Sequence, residues 1–421
     1  MMSSPNIIQI EQVASTLKSV FGWLQPSFTI QQNKTATNNH VFIVELAQPL
    51  QSDLIAEGRP RPFISAIPAG TSRLVMRVPK RDNNVEDSIR IKNEVAFLVL
   101  AREALATAEA NLVPRVFYWE DDDAADRDTS VCQSYIIEEF KSGETISFAD
   151  FKALSYHDKQ SICDQLAHVV AAWQSFELPA SVRGYGGLTF DNNGTFSSTK
   201  NIFRTGGPFS TYSEYLKATI RWQLENSEHV EAINGWRTVA DAPDLRKRID
   251  AFIDQGLDTL LDTLPRYKLS LVHGDLTLPN LLFDRSNNKL TAVIDFDFGH
   301  IGAPITEFLY SFPEFDGLLS GVADTQEGLR DHMLHQPCGQ NWPDESIGGA
   351  WQKALLDHGA SVPATIDGSD TISNVWWFAQ ELLYFHWLVP RAVNSMSEET
   401  KRKKLRSSAE TIQTYLRLWG Y

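Results

Sequence analysis

The spacing of apolar residues predicts a sheet region in the N-terminal third of the chain. Five short runs suited to strands lie at 28–32, 41–46, 74–78, 113–119 and 134–140. Between the third and fourth runs, residues 88–105 carry apolar side chains at helical spacing, which predicts an amphipathic helix. The element order is therefore three strands, one helix and two strands.

The remainder of the chain favours helices. Long helical patterns cover residues 155–176 and 245–264, and three short apolar runs at 269–272, 281–283 and 290–294 predict strands. Residues 183–210 contain six glycines and predict an extended loop, while the pattern after Phe308 is irregular to about residue 345.

Aromatic residues are concentrated at 375–387, where Trp376, Leu383 and Trp387 share one face at helical spacing. One interpretation is a helix buried in the core. The other is an aromatic wall that binds an apolar or cationic ligand, because aromatic rings hold cations through cation–π attraction. The sequence leaves both open.

The candidate chemistry lies in two acidic turns, Val-His-Gly-Asp-Leu-Thr-Leu-Pro-Asn at 272–280 and Val-Ile-Asp-Phe-Asp-Phe-Gly-His at 293–300. Gly274 permits a tight turn, so Asp275 emerges on a loop. A hairpin between the last two short strands would bring Asn280 beside Asp295. Phosphoryl transfer needs one carboxylate to accept a proton, and amide and carboxylate oxygens to hold Mg²⁺. These three residue types in this order predict that chemistry.

His-Gly-Asp-Leu-x-x-x-Asn at 273–280 is similar to the catalytic loop of the aminoglycoside phosphotransferase and choline kinase-like family, and 294–308 is similar to its metal-binding loop. By this resemblance Asp275 is the catalytic base, and Asn280 and Asp295 are magnesium ligands. His273 resembles a structural histidine that braces the loop. For Asp297 two roles stay open, a second metal ligand or a residue that caps and orients the loop.

The resemblance also implies the fold and the reaction. The expected fold is α+β and two-lobed, like that of protein kinases. A small N-terminal antiparallel sheet lobe with one helix would occupy residues 1–140, and a larger, mainly helical lobe would occupy 141–421. The expected reaction is transfer of the γ-phosphate of ATP, with Mg²⁺, to a hydroxyl of a small molecule.

Several residues of the N-terminal region match the nucleotide-binding lobe of the family. Arg77 stands where the family has a phosphate-gripping lysine, and it is expected to pair with Glu94; an ordinary surface ion pair is the alternative. Residues 138–143 resemble the hinge that binds adenine, and Glu139 is assigned there. Residues 31–40 contain no glycine. Thr35 is assigned as a phosphate neighbour, although a solvated hairpin turn fits this stretch equally well.

Two other functions stay open at this stage. A binding or scaffold protein of the pseudokinase type would explain the arginine and the glycine-free stretch. A kinase-fold enzyme with non-phosphorylating chemistry would reuse Asp275 in proton transfer. Three acidic residues after the metal loop, Glu307, Glu314 and Asp316, are either ligands for an amine of the acceptor or ordinary acidic surface.

Composition excludes some classes of partner. The net charge of −15 argues against nucleic acid, because a polyanion requires a basic surface. The sequence has no apolar stretch of about eighteen residues, which argues against a membrane span. Its N-terminus does not resemble a signal peptide. The three cysteines, Cys132, Cys163 and Cys338, are widely spaced and indicate reduced thiols. We therefore expect a cytoplasmic protein.

Overall fold

The N-terminal part of the protein is a five-stranded antiparallel sheet. The computed structural model describes residues 10–34, 36, 38–80, 85–105, 110–121, 131–239, 241–323, 328–336, 342–388 and 390–421. The strands are β1 (Phe28–Asn33), β2 (Asn39–Leu46), β3 (Arg73–Pro79), β4 (Val116–Glu120) and β5 (Tyr135–Glu139), in the spatial order β1-β2-β3-β5-β4. The five predicted strands are therefore confirmed. The division of the chain at residues 140 and 141 stays a prediction.

Helices cover both faces of this sheet. Helix α1 (Ile10–Phe21), which the sequence pattern did not reveal, buries Val13 and Leu17 in one apolar cluster with Met76 of β3. Helix α2 (Arg90–Ala104) contributes to a second cluster with Ile136 of β5. The predicted amphipathic pattern of α2 is wrong, because ten of its fifteen residues are buried. It packs against the sheet on one side and a hairpin on the other.

The C-terminal part is mainly helical. Its helices are α3 (Phe148–Ala153), α4 (Tyr156–Ser175), α5 (Tyr212–Ser227), α6 (Leu245–Ala251), α7 (Leu257–Leu261), α8 (Glu307–Tyr310), α9 (Leu329–His335), α10 (Ile347–Asp357), α11 (Ser369–Leu382), α12 (Phe385–Leu388), α13 (Pro390–Ser395) and α14 (Glu398–Leu418). Helix α4 agrees with prediction, and its Ser155 cap accepts the Asp158 N–H at 3.1 Å. The predicted helix at 245–264 is interrupted by a π-helical turn at Phe252–Gly256.

Three short two-stranded sheets complete the fold. Their strands are β6 (Gly187–Phe190), β7 (Phe196–Thr199), β8 (Ser270–Val272), β9 (Leu281–Asp284), β10 (Lys289–Val293) and β11 (His300–Gly302). The pairs are β6–β7, β9–β10 and β8–β11, all antiparallel. Two predictions need correction: the segment 183–210 contains the β6–β7 hairpin, and the segment after Phe308 contains the end of α8 and all of α9.

The aromatic segment at 375–387 packs into the core. Helix α11 ends at Leu382, and Leu383 leaves the helical conformation with φ −152°. Trp376 and Trp387 are each only 4% exposed. Trp376 packs against Tyr310, with 4.7 Å between the ring centroids. This burial favours the core interpretation over the ligand-binding wall.

No helix within the described ranges is long and apolar enough to cross a membrane. Cys132 and Cys163 are buried free thiols, while Cys338 lies outside the described residues.

Candidate active site

The loop after β8 is shaped by Gly274. This residue has φ +77°, a conformation that L side chains rarely adopt. A Cβ atom at this position would lie 2.8 Å from the carbonyl oxygen of Phe298. The chain therefore turns closely against the second acidic turn, and Asp275 leaves the strand on a loop, as predicted.

The Glu307 carboxylate holds this loop in place through hydrogen bonds to its backbone. Its Oε2 atom accepts the His273 N–H at 2.6 Å, and its Oε1 atom accepts the Gly274 N–H at 3.0 Å. Ser311 donates its hydroxyl to Glu307 at 2.5 Å and accepts the Leu276 N–H at 2.8 Å. Glu307 is only 4% exposed. The suggestion that it binds an amine of the acceptor is wrong, because both oxygens are used to hold the catalytic loop.

His273 braces the loop as a neutral imidazole. Its Nε2–H donates to the carbonyl of Ile294 at 3.1 Å, and its Nδ1 accepts the Asp275 N–H at 3.3 Å. Burial lowers the pKa of His273 to about 4. The ring therefore stays uncharged at neutral pH, which is the form that this pair of bonds requires.

Asp275 and Asn280 lie in direct contact. The Asn280 amide donates to Oδ2 and to the backbone oxygen of Asp275, both at 2.8 Å. Burial raises the pKa of Asp275 to about 7, the hydrogen bond from Asn280 opposes the rise, and the charges of Asp295 and Glu314 add to it. A carboxyl group with a pKa near neutrality can accept a proton from an alcohol in the transition state and release it afterwards.

The hairpin of β9 and β10 brings Asn280 beside Asp295. The pairing of Leu281 with Val293 sets the register, and the Ile294 N–H donates to the Asn280 carbonyl at 3.0 Å. Asp295 adopts a left-handed conformation, with φ 68°, and its side chain is 35% exposed. The predicted convergence of these two residues is confirmed.

The residues present fit a magnesium ion. The Asn280 side chain uses its amide nitrogen for Asp275, so its carbonyl oxygen remains as a ligand atom. Asp295 supplies a partly exposed carboxylate. Within the described part of the chain, carboxylate oxygens of Glu94, Asp295 and Asp297 also lie within 4.8 Å of one another. Oxygen donors of this kind suit Mg²⁺. The roles of Asn280 and Asp295 as ligands stay predictions.

Arg77 joins the sheet to this cluster. Its guanidinium binds Glu94 of α2 with one nitrogen and Asp295 with another. Burial lowers the pKa of Arg77, but the surrounding carboxylates outweigh it and hold the pKa well above its ordinary value. Arg77 and Glu94 are 5% and 2% exposed, so the alternative of an ordinary surface pair is wrong.

The sequence did not assign two members of this cluster. It left the role of Asp297 open, and it did not single out Arg90. Asp297 is 2% exposed, and it pairs with Arg90. The signal was present, because Arg90 precedes Glu94 by four residues and so shares a face of α2 with it.

The end of β5 places two neighbouring glutamates in different surroundings. Glu139, the predicted adenine-binding residue, pairs with Arg115 and Lys141, each at 3.1 Å. Glu138 lies opposite Val75 and is buried near Arg77. Burial raises the pKa of Glu138 to about 7, and its Oε2 atom has no hydrogen-bond partner among the described residues. The role assigned to Glu139 stays a prediction.

Thr35, the predicted phosphate neighbour, lies outside the described residues. The adjoining part of the β1–β2 connection is described from Asn38 onward, where the Asn38 carbonyl accepts a bond from Arg90 at 3.0 Å. The connection therefore reaches the metal loop through Arg90.

Comparison with known proteins supports the resemblance. The model of a phosphotransferase enzyme family matches residues 66–346, about two thirds of the chain. None of the curated proteins matches the sequence significantly.

Several solved structures are similar to this chain over nearly its whole length. A protein of Ralstonia eutropha, assigned by inference as an aminoglycoside phosphotransferase, is 18% identical and has a TM-score of 0.52; the similarity covers 98% of this chain and 99% of that chain. The streptomycin–ATP complex of APH(2″)-IIa is 16% identical over 96% of this chain and 99% of that chain, with a TM-score of 0.48. Choline kinase of Cryptosporidium parvum is 14% identical over 97% of each chain, with the same TM-score of 0.48. The similarity to the Ralstonia structure confirms the predicted fold.

Proposed function

Because this chain belongs to the phosphotransferase enzyme family, we propose that it transfers the γ-phosphate of ATP, with Mg²⁺, to a hydroxyl group of a small molecule. The observation that carries the proposal is the meeting of Asp275, Asn280 and Asp295 at one place, with Arg77 bound to Asp295. The acceptor would belong to the broad class of alcohols that includes the aminoglycosides and choline named for similar structures.

In this proposal each residue has a separate task. Asp275 accepts the proton of the attacking hydroxyl, since its carboxyl group is partly desolvated and its pKa is near neutrality. Asn280 and Asp295 hold Mg²⁺, which neutralises the phosphate oxygens. Arg77 faces the same place with a planar guanidinium, a geometry that suits phosphate oxygens. Backbone groups near Glu139 would bind the adenine.

The decisive experiment is an ATP-consumption screen of the purified protein with small alcohols, amino alcohols and sugars. We expect one class to stimulate ATP consumption, and its product to gain the mass of one phosphate group. Asp275→Asn and Asp295→Asn should abolish this turnover. Full activity in both variants would overturn the assignment of these residues.

A thermal-shift measurement separates this proposal from a scaffold protein. A ligand that binds only the native state raises the apparent stability, so ATP should raise the midpoint of unfolding more with Mg²⁺ than with EDTA. The absence of any shift at millimolar ATP would favour the scaffold. Product that forms without added phosphate would favour non-phosphorylating chemistry.

A further inference from the structure

The two carboxylates of the metal loop have opposite surroundings although they are two residues apart. The side chain of Asp295 is 35% exposed and that of Asp297 is 1% exposed. Carboxylate oxygens of the two residues lie within 4.8 Å of one another, but only Asp295 is open to solvent, and Asp297 is the inward carboxylate of the pair. The inward carboxylate must therefore have its own buried partners.

Asp297 is engaged by three side chains, since Arg90 and Asn39 donate hydrogen bonds to it and a guanidinium nitrogen of Arg77 lies 3.7 Å from its Oδ2. Arg90 donates through Nη2 to Oδ2 at 3.0 Å and through Nε to Oδ1 at 3.3 Å. Asn39 donates its amide to Oδ2 at 2.7 Å. The arginine contact is bidentate, which fixes the orientation of the carboxylate as well as its position. Little of the carboxylate remains for a metal ion.

Arg90 also ties the neighbouring backbone to this carboxylate. It donates through Nη1 to the Lys80 carbonyl at 3.1 Å and through Nη2 to the Asn38 carbonyl at 3.0 Å. The end of β3, the β1–β2 connection and the metal loop therefore meet at one buried guanidinium, itself 2% exposed. Arg77 and Glu94, the pair closest to Asp295, extend from the same strand and helix.

We infer that Arg90, Asp297 and Asn39 form a positioning clasp that sets the metal-binding orientation of Asp295, and that Asp297 is not itself a metal ligand. The inference rests on the proposed function. Asp295 adopts a left-handed backbone conformation, which persists in a non-glycine residue only when its surroundings enforce it. Arg90 and Asn39 hold Asp297, two residues later in the chain. The turn between Asp295 and Asp297 therefore cannot relax, and Asp295 keeps its left-handed conformation. Residues that support metal ligands in this way act through the ligand and not by contact with the ion.

The test measures the Mg²⁺ dependence of ATP binding by calorimetry, with Asp297→Asn, Arg90→Lys and the double variant. We expect each single change to raise the Mg²⁺ concentration for half-maximal ATP binding by about 10–100-fold. The double variant should be little worse than the more severe single one, because both residues serve one contact. With an acceptor and saturating Mg²⁺, kcat should return towards that of the wild type, since Asp275 is held by separate bonds.

A direct metal role for Asp297 gives a different pattern. Asp297→Asn would then weaken Mg²⁺ binding while Arg90→Lys would leave it unchanged, and this outcome overturns the inference. Equal Mg²⁺ dependence in the wild type and both variants also overturns it. If Asp297→Asn does not fold, Arg90→Lys and the milder Asn39→Ala carry the test, with smaller shifts of the same sign.

Matched controls are available on the exposed turn between β9 and β10. Asp284→Asn and Arg285→Lys change the same chemical groups on the surface and should bind ATP and Mg²⁺ as the wild type does. Failure of the proposed function looks different from failure of the clasp. If the wild type and the controls do not bind ATP with Mg²⁺, the proposed function is wrong. If they bind it and the clasp variants match them, only the clasp is wrong.

Discussion

The catalytic loop (residues 273–280) and the phosphate side of the proposed site (Arg77, Arg90, Glu94 and the metal loop) are held together by different kinds of contact. In the catalytic loop, hydrogen bonds join residues 2 to 35 positions apart. On the phosphate side, the bonds from arginine to the metal loop join residues 207 and 218 positions apart. In the first set, backbone N–H and side-chain amide groups donate mainly to the carboxylates of Glu307 and Asp275, and in the second set buried opposite charges pair with each other. Short-range contacts leave a motif in the sequence, while long-range contacts do not.

The different ranges of these contacts also predict how substitutions in the catalytic loop and on the phosphate side affect stability. A group in the catalytic loop can be altered with little effect on the rest of the fold, since its supports are local. An arginine of the phosphate side holds together a strand, a helix and a loop, so its loss affects stability first. Four predictions follow this contrast, from the largest expected effect to the smallest.

The largest effect is expected from Asp275→Asn. Removing the proton acceptor should lower kcat by about 10²–10⁴-fold, the usual contribution of general base catalysis. Calorimetry should show unchanged ATP binding with Mg²⁺, because Asp275 is not proposed to bind either. Asp284→Asn, on an exposed turn, is the matched control and should keep full activity. A kcat within a few fold of the wild type would remove Asp275 from the mechanism.

Arg77→Met should destabilise the protein by about 3–5 kcal/mol, because it leaves Glu94 as an uncompensated buried charge. Urea unfolding measures the effect. Arg237→Met is the matched control: its pair with Glu228 is exposed, and such pairs contribute about 0–1 kcal/mol. Equal losses in the two variants would contradict the contrast drawn above. Adding Glu94→Gln should recover part of the loss.

Glu307→Gln should destabilise the protein by about 1–3 kcal/mol, because it weakens charge-assisted bonds to backbone N–H groups and leaves buried groups less well paired. It should also lower kcat, since these bonds hold the loop that carries Asp275. Glu314→Gln, on a half-exposed side chain, should change stability little. An unchanged free energy of unfolding in Glu307→Gln would show that the loop has other supports.

The smallest effect concerns pH. The pKa of Asp275 is raised to about 7, and only its ionised form accepts a proton, so kcat/KM should fall as the pH drops below about 7. Because the folded state retains this proton better than the unfolded state, the contribution of Asp275 to stability should decrease as the pH rises from about 4 towards 7. Glu314→Gln should move the acid limb to lower pH. An acid limb near the ordinary pKa of aspartate would contradict the burial argument.

Several parts of the fold could be predicted because their contacts are local. The five strands of the sheet, helix α4 and the β9–β10 hairpin each follow from short apolar runs, helical spacing and turn residues. Other parts could not. The burial of helix α2 on more than one side is one of them, although the helix itself is predicted at 88–105 and is present at Arg90–Ala104. The β6–β7 hairpin lies in a glycine-rich segment whose composition is also that of a loop.

The same limit applies within the site. Asp275, Asn280 and Asp295 were identified because one hairpin and one tight turn bring them together. The burial of the Arg77–Glu94 pair was left open, since burial depends on everything packed around it. For Glu307 the sequence leaves open a ligand for an amine or ordinary acidic surface, and the buried contacts of Glu307 contradict both. A carboxylate that binds backbone N–H groups looks the same in the sequence as one that faces solvent.

The sequence by itself determined the family, the order of strands and helix between Phe28 and Glu139, and the three residues proposed to carry out phosphoryl transfer. Those features depend on spacing along the chain. Only the tertiary structure decided which carboxylate of the metal loop is open to solvent and which is buried against Arg90. That choice depends on contacts between residues more than two hundred positions apart. Spacing along the chain cannot encode such contacts, because they form only when the sheet, helix α2 and the metal loop pack together.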